Sequence, residues 1–577
     1  MSHLLFPRLH FRGQFSANVG TANNDDLGSP QFVDSALVRV DTLGMTDEAF
    51  ATWLRGVEPG FGIRGGWNLY GDSGCRFVDP ICHSTEPAPG TLATTAASDP
   101  AVGASVRLLR AVMTDQDPEG TTSTQIFAAQ FNLSNPAAGI AVGGRPSRAV
   151  SRWVARRNLG VSGFRAFAAV WHSVIQPGPL TITPGTSPSL LALKAAHDNG
   201  KGLFIRYCTY LLVPLLSAAQ LAADFAAGHP TTNPAIGKVL GTIGVWEPGT
   251  MITLAEGRRL GSGAVATSDH VDFRFNPATV HLDTANRRIS VDFINSVPEV
   301  NDTLEKINLG PLDLRLTSAD GVTTMLGTLA NTRADYELRA GIADFDLPPA
   351  AVPNLAAGRL DLVQRSTGSA LLTETPLVLE TDDRAVYLQE GESRTINLHG
   401  WMLGQPAAGE RITIRQFSTT NKTFAPVPPA AAVVTCPDHL DLDNHGGAAI
   451  ALSGVAPGCC TLRFAGAISP AATDFFACVR VLPKDDFSAV PDDHITFAFV
   501  YENVLKYYHL LHPAMDVAIP GFELSVQASV ELRADRIRTR IRDTPWDDPQ
   551  YMPRTRELSA GKATLLLRWC DIVTPPG

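Results

Sequence analysis

The chain has 577 residues, 44% of them hydrophobic and 18% charged, and a net charge of −10. At roughly 150 residues per domain this length allows about three or four folded units, and the composition excludes disorder, collagen and coiled coil. Fifty-seven acidic residues against 47 basic ones argue against a nucleic-acid-coating surface. Eight cysteines are too sparse for a disulfide framework.

The opening run Phe6-Pro-Arg-Leu-His-Phe-Arg-Gly13 alternates apolar with basic or imidazole groups. As an extended strand it places Leu9 and Phe11 on one face and Arg8, His10 and Arg12 on the other. Charges recur every few residues and no apolar h-region follows Met1, so no secretory signal is expected. Asp47–Arg55 and Ser187–Asp198 read as short amphipathic helices. The most apolar window, Tyr207 to Ala223, is interrupted by Pro214 and Gln220. It falls short of the ~20 apolar residues of a spanning helix and reads as a buried strand, Leu203–Leu212, before a helix starting near Ser217. A cytoplasmic protein that engages neither membrane nor nucleic acid is expected.

Glycine and proline punctuate β-branched runs through the middle of the chain. Strands are expected at Ser105–Val112, Gln125–Leu133, Val239–Val245, Val271–Phe275, Ile289–Phe293 and Leu312–Leu316. A hairpin should join Thr279–Leu282 to Ile289–Phe293. From Pro376 to Pro483 short strands and turns alternate closely, as in an immunoglobulin-like sandwich. After His494, Phe497, Val500, Val504, Tyr507, Tyr508 and Leu511 line one helix face, which Pro513 ends. Leu524–Arg542 predicts a second helix with Val526, Val530, Leu532 and Ile537 inside and an Arg-rich exposed side. Ser559 caps a third, running to about Trp569. The expected fold is mainly β with helical additions. Its units are an α+β region (1–250), a β-rich domain (251–372), the sandwich (373–485) and a helical segment (486–577) packing back on the N-terminus.

The familiar catalytic signatures are missing: there is no phosphate loop, no Gly-x-Gly-x-x-Gly after a strand, no Gly-x-Ser-x-Gly elbow and no His-Glu-x-x-His. Neither does a Glu-x-x-His pair of the ferritin-like di-iron kind. Cys436, His439 and His445 have zinc-like spacing, but a fourth ligand would have to come from Cys459 or Cys460, which face opposite ways on a strand. They read as a strand-end cysteine with loop histidines, and no residue is assigned to a metal. His509 and His512 lie three apart on a helix and read as packed or rim histidines.

Chemistry concentrates at the two ends. Arg8, His10 and Arg12 share a strand face able to grip a carboxylate, because guanidinium binds carboxylates bidentately; alternatively they form an ion network with Asp25, Asp26 or Glu557. Asn23 and Asp25 lie in a polar run, Thr21 to Asp26, that supplies acceptors. In Tyr551-Met-Pro-Arg-Thr-Arg-Glu-Leu-Ser-Ala-Gly-Lys562 a loop enters a helix, and Arg554, Arg556 and Lys562 make an anion site or clamp the chain ends together. The expected catalytic groups are His10, Arg8, Arg12 and Glu557. Those expected to bind substrate are Asn23, Asp25, Tyr551, Arg554, Arg556 and Lys562. Both sets are expected to form one polar cluster.

These end motifs resemble the N-terminal half of the chromopyrrolate synthase family, the bacterial enzymes of violacein, rebeccamycin and staurosporine assembly. Ala129-Gln-Phe-Asn-Leu133, Gly241-Thr-Ile-Gly-Val-Trp246 and Tyr501-Glu-Asn-Val-Leu-Lys-Tyr-Tyr508 agree in order. The resemblance implies oxidative coupling of two aromatic amino-acid-derived imines, such as that of indole-3-pyruvate. It also implies iron, with haem in some members, and a ferritin-like domain downstream of the matched region. The Cys-rich stretch some relatives carry before the Tyr-Met-Pro loop is not evident here. The expectation is a pathway component taking a small aromatic substrate and working with a separate ferritin-like protein. Two alternatives stand beside it. One is a stand-alone haem-dependent or cofactor-free enzyme with His10, His83, His172 or His509 as ligand or base; the other is a non-catalytic β-rich scaffold.

Overall fold

The computed structural model describes residues 3–17, 32–55, 74–117, 123–157, 164–214, 223, 227, 236–252, 257–262, 265–268, 271–300, 303–419, 425–468, 475–512 and 519–575. Asn23, Asp25, Asp26 and the helix expected near Ser217 lie outside them.

The opening strand, Arg8–Ala17, pairs on one side with Ile236–Trp246 and on the other with Gly74–Glu86, both antiparallel. From Ile236–Trp246 the ladder continues through Gly202–Pro214, Phe164–Ile175, Ala149–Arg157, Thr124–Phe127 and Ala111–Asp115 back to Gly74–Glu86. The strands therefore close into a barrel, which satisfies edge strands that would otherwise stay open. Four further strands, from Ser105–Leu109 to Thr181–Pro184, extend the sheet beyond Gly74–Glu86. Leu9, Phe11, Phe15, Phe77, Trp171, Tyr207, Val239 and Ile243 fill its core. Close packing explains one glycine of the Gly241-Thr-Ile-Gly block. Phe11 faces Gly241, and a Cβ there would lie 2.2 Å from the ring.

Beyond the barrel an eight-stranded sheet runs in the order Thr323–Leu329, Leu312–Thr317, Arg359–Gln364, Ala370–Thr375, Arg258–Ser262, Ala278–Asp283, Arg288–Asp292, Ile342–Asp346. It contains the expected hairpin, with Thr279 opposite Asp292. Two five-stranded sheets between Leu377 and Leu482 form the immunoglobulin-like sandwich around Leu388, Ile396, Ile450, Leu462 and Phe464. Some expected strands are split: Arg110, at φ 49°, separates Ser105–Leu109 from Ala111–Asp115.

The last elements are helical. Phe497–Val500, a π-turn at Tyr501–Leu505 and Lys506–Leu511 form one continuous helix. Ser559 accepts from Lys562 N and caps Ala560–Val573. Their apolar faces bury against Phe32, Phe50 and Leu54 of the N-terminal region, so the chain's end packs on its beginning. The middle helix departs from expectation. It breaks into Gln527–Glu531, Ala534–Arg538 and a π-turn, Thr539–Asp543. Val530 is buried, whereas Leu532, two residues on and on the opposite face, is 81% exposed, and Val526, which caps the first piece, is 43% exposed. Arg538, expected outside, is buried and paired with Asp571. Among the described residues no helix is long and apolar enough to cross a membrane.

Candidate functional site

The end motifs build two separate sites rather than one cluster. The first lies where the outer face of the opening strand meets the eight-stranded sheet. Leu9 and Phe11 point into the barrel, while Arg8 and His10, fully buried, point out of it. Arg8 grips Asp344 bidentately (2.8 and 3.1 Å) and donates to Ser290 Oγ (2.9 Å). It also approaches Glu86 at 3.5 Å. Burial pulls the His10 imidazole below its ordinary range and outweighs the hydrogen bond to Glu86. The neutral ring donates from Nε2 to Glu86 (3.1 Å) and accepts at Nδ1 from the Thr242 hydroxyl (3.0 Å). Burial works against the Glu86 charge, but His10, Arg8 and Arg339 prevail and hold its carboxyl at about 2. Beside this group His3 bonds Asp292 at 2.8 Å and Arg206 pairs with the same carboxylate at 3.0 Å. Arg12 is half-exposed and pairs with Glu337. The carboxylates that meet the opening arginines are thus Glu86, Asp344 and Glu337, and they lie far along the sequence. With both ring nitrogens of His10 engaged and the ring fully buried, this is an ion-paired network between two sheets.

The second site lies at the other end of the strand Gly74–Glu86. Glu86 belongs to the ion network and Gly74 borders a cavity of about 640 Å³. The 13-residue strand that they bound spans on the order of 40 Å. The closing loop forms one wall, and Arg556 organises that loop. At φ 63° it adopts a left-handed conformation disfavoured by about 1 kcal/mol for a residue with a Cβ. Its guanidinium donates to the carbonyls of Asp548, Tyr551, Pro553 and Arg554 and lies 4.3 Å over the Phe127 ring. Burial lowers it to about 10, so it remains a cation at neutral pH. Tyr551 packs against the same guanidinium at 5.2 Å. Glu557, fully buried, pairs with Arg480 at 3.1 Å, and Lys562 donates to Val38 O at 3.1 Å. Glu557 and Lys562 therefore tie the closing segment to the sandwich and to the N-terminal region. Arg554 differs: its carbonyl accepts from Thr114 and its side chain lines the cavity.

The cavity walls are apolar: Leu505, Tyr508, Phe522, Leu524, Ile537 and Leu558 among them. The polar groups are mostly cationic, namely Arg110, Arg533, Arg536, Arg540 and Arg554, with His512 stacked on Tyr508. No Asp or Glu lies among its described lining residues. Arg533, Arg536 and Arg540 recur at three- and four-residue steps, a legible signal that reading the helix's Arg-rich side as mere solvent cover overlooked. Volume and lining match the usual small-molecule site, about 300–1,000 Å³, apolar with a few convergent polar groups. A flat ring buried among these side chains would present its carboxylate to guanidinium.

Among the described residues no cluster of three or more His, Cys, Asp or Glu side chains could hold a metal ion. His83 bonds Glu337 O, His172 packs among His3 and Phe204, and His509 bonds Tyr501 while His512 faces the cavity. His439 and His445 are exposed and Cys436 packs on the sandwich core.

Fold and cavity define a β-rich protein, built of a barrel, a second sheet and a sandwich, that closes a ligand-sized pocket with its C-terminal helices. The chain is similar in sequence to an imine dimerase and to a chromopyrrolate-type synthase. It is 25% identical to the 2-imino-3-(indol-3-yl)propanoate dimerase of Chromobacterium violaceum over 99% of its own length and 58% of that protein's. To the dichlorochromopyrrolate synthase of Lentzea aerocolonigenes it is 24% identical, over 62% of this chain and 36% of that one. It thus spans little more than half of the first relative and about a third of the second. No family model matches. Solved structures such as the D0-D1 domain of intimin (11% identity, 35% of this chain and 94% of that one, TM-score 0.15) carry no argument at that score. The same holds for a teleost fish polymeric Ig receptor ectodomain (12%, 34% and 92%, TM-score 0.13).

Proposed function

We propose that this chain serves a bacterial natural-product pathway by binding and orienting a small aromatic amino-acid-derived acid, of the indole-3-pyruvate imine type, for oxidative coupling. The cavity at the closing segment carries this reading. Its apolar walls suit an aromatic ring, and its arginines suit the carboxylate that every 2-imino or 2-oxo acid bears. The named activities of the two relatives favour the same substrate class. In this reading the redox step belongs to a separate ferritin-like iron protein, since the described histidines and carboxylates do not converge on a metal. The chain then contributes what its own residues can do: exclude water from the ring, fix the carboxylate and set the direction in which the reacting carbon faces.

Calorimetric titration with indole-3-pyruvate tests the binding. The expected result is saturable binding weakened by Arg554→Ala; no heat from indole-3-pyruvate, phenylpyruvate or their amino acids would overturn it. Iron analysis of the purified chain tests the division of labour, and stoichiometric, tightly held iron would overturn that part.

A further inference from the structure

The helix 497–511 carries Tyr501, Tyr507 and Tyr508, and Tyr501 is built into a polar cluster outside the cavity lining. Its hydroxyl donates to Asp47 Oδ2 at 3.0 Å and lies 2.8 Å from His509 Nδ1. A phenol has one proton to give; with that proton on Asp47, His509 Nδ1–H donates to the same oxygen. Lys506 holds the other oxygen of the Asp47 carboxylate at 3.0 Å. Two local features build the cluster. Asp47 opens the helix Asp47–Arg55, where Thr46 Oγ1 accepts from Ala49 N. At roughly 100° per residue, His509 would stand about 80° round an ordinary helix from Tyr501. The wider π-turn Tyr501–Leu505 removes that offset and brings the two side chains to one face. Burial, together with Asp47, pushes the phenol above its ordinary range, so it keeps its proton at neutral pH. Other described tyrosines are set differently: Tyr210 donates to a carbonyl, Tyr387 accepts from Gln125, and Tyr507 meets a Glu557 already paired with Arg480.

We infer that Tyr501 is a redox-active residue: a one-electron oxidant takes an electron from the phenol while its O–H bond breaks and the proton passes to Asp47 Oδ2. The product is a neutral tyrosyl radical whose oxygen accepts from His509 Nδ1–H, beside a protonated Asp47. Moving the proton in the same step avoids a phenol radical cation, and it requires a base already at hydrogen-bond distance, which Asp47 is. Return of one electron and of the proton from Asp47 restores the phenol. The use of this step rests on the proposed function, in which the oxidant is an oxidised iron centre of the partner protein and the reductant an electron-rich aromatic ring. Roughly 10 Å of helix separates Tyr501 from Tyr508, which lines the cavity, so Tyr501 relays between the two.

The test oxidises the full chain with flash-generated tris(bipyridine)ruthenium(III) and reads the radical by electron paramagnetic resonance, with circular dichroism to verify folding of each variant. The parent chain should give a tyrosyl signal, and Tyr501→Phe should lose most of it. Asp47→Asn keeps the phenol and removes the base; it should lose the fast phase of oxidation and the slowing of that phase in heavy water. A hydrogen bond with a merely structural role would move neither readout. Equal tyrosyl yield in the parent and in Tyr501→Phe would overturn the inference, as would a parent signal from tryptophan alone. Should Tyr501→Phe fail to fold, Asp47→Asn decides: oxidation as fast as in the parent overturns the inference, and loss of the fast phase supports it. Neither an aromatic acid nor iron is added, so failure here leaves the cavity reading standing, and failure of indole-3-pyruvate to bind leaves the tyrosyl result standing.

Discussion

Both ends of the chain gather arginines, yet the two gatherings have different physical characters. At and beside the opening strand the buried cations meet acids: Arg8 meets the partly exposed Asp344 and the buried Glu86, and Arg206 meets the buried Asp292. At the closing segment the arginines line a space large enough for a small molecule, and no acid lines it among the described residues. A buried, acid-paired network holds two units in register, whereas the cavity wall combines arginines with apolar side chains and carries no carboxylate among its described residues. Residue type and spacing look alike in both; what separates them is whether the counter-charge is supplied by the chain.

The largest expected difference is in stability. Arg8→Ala should cost about 3–5 kcal/mol in denaturant unfolding, because it strands Asp344 and weakens the hold on Glu86 in a buried setting. Arg536→Ala should stay within about 0.5 kcal/mol of the parent chain. A small loss at Arg8 would mean that the interface is open to water and would erase the distinction.

Acid should act through the network. Burial holds His3 at about 4 against an ordinary 6.5. Between those values the unfolded chain takes up a proton that the folded chain refuses, so stability falls as pH drops from about 6.5 to 4. Glu86 and Asp292, both held at about 2, extend the loss from about pH 4 down to 2. Unfolding midpoints measured from pH 7 to 3 should decline steadily, and a flat profile would contradict these buried states.

The helical layer offers a finer contrast. Leu565→Ala, at a fully buried position, should cost about 2–5 kcal/mol, while Leu532→Ala should change stability by less than about 0.5 kcal/mol.

Local patterns were readable from the sequence. The alternation in the opening strand, the 279–293 hairpin, the sandwich spacing and the Ser559 cap all depend on neighbours within a few residues. Barrel closure did not declare itself, because it joins Phe11 to Gly241 on one side and to Cys82 on the other. For the same reason Asp344 and Glu86, which meet Arg8, are not among the acids its sequence context suggests, Asp25, Asp26 and Glu557. Leu532 stands two residues after the buried Val530, about 200° round a helix, so the helical period itself turns it to the exposed face.

Hydrogen exchange of the full chain with and without saturating indole-3-propionate addresses the central claim most directly. Protection concentrated in residues 527–543 and 551–558, with 8–12 and 84–86 unchanged, is the expected result. Protection of the opening strand around His10, with the closing segment unaffected, would contradict it.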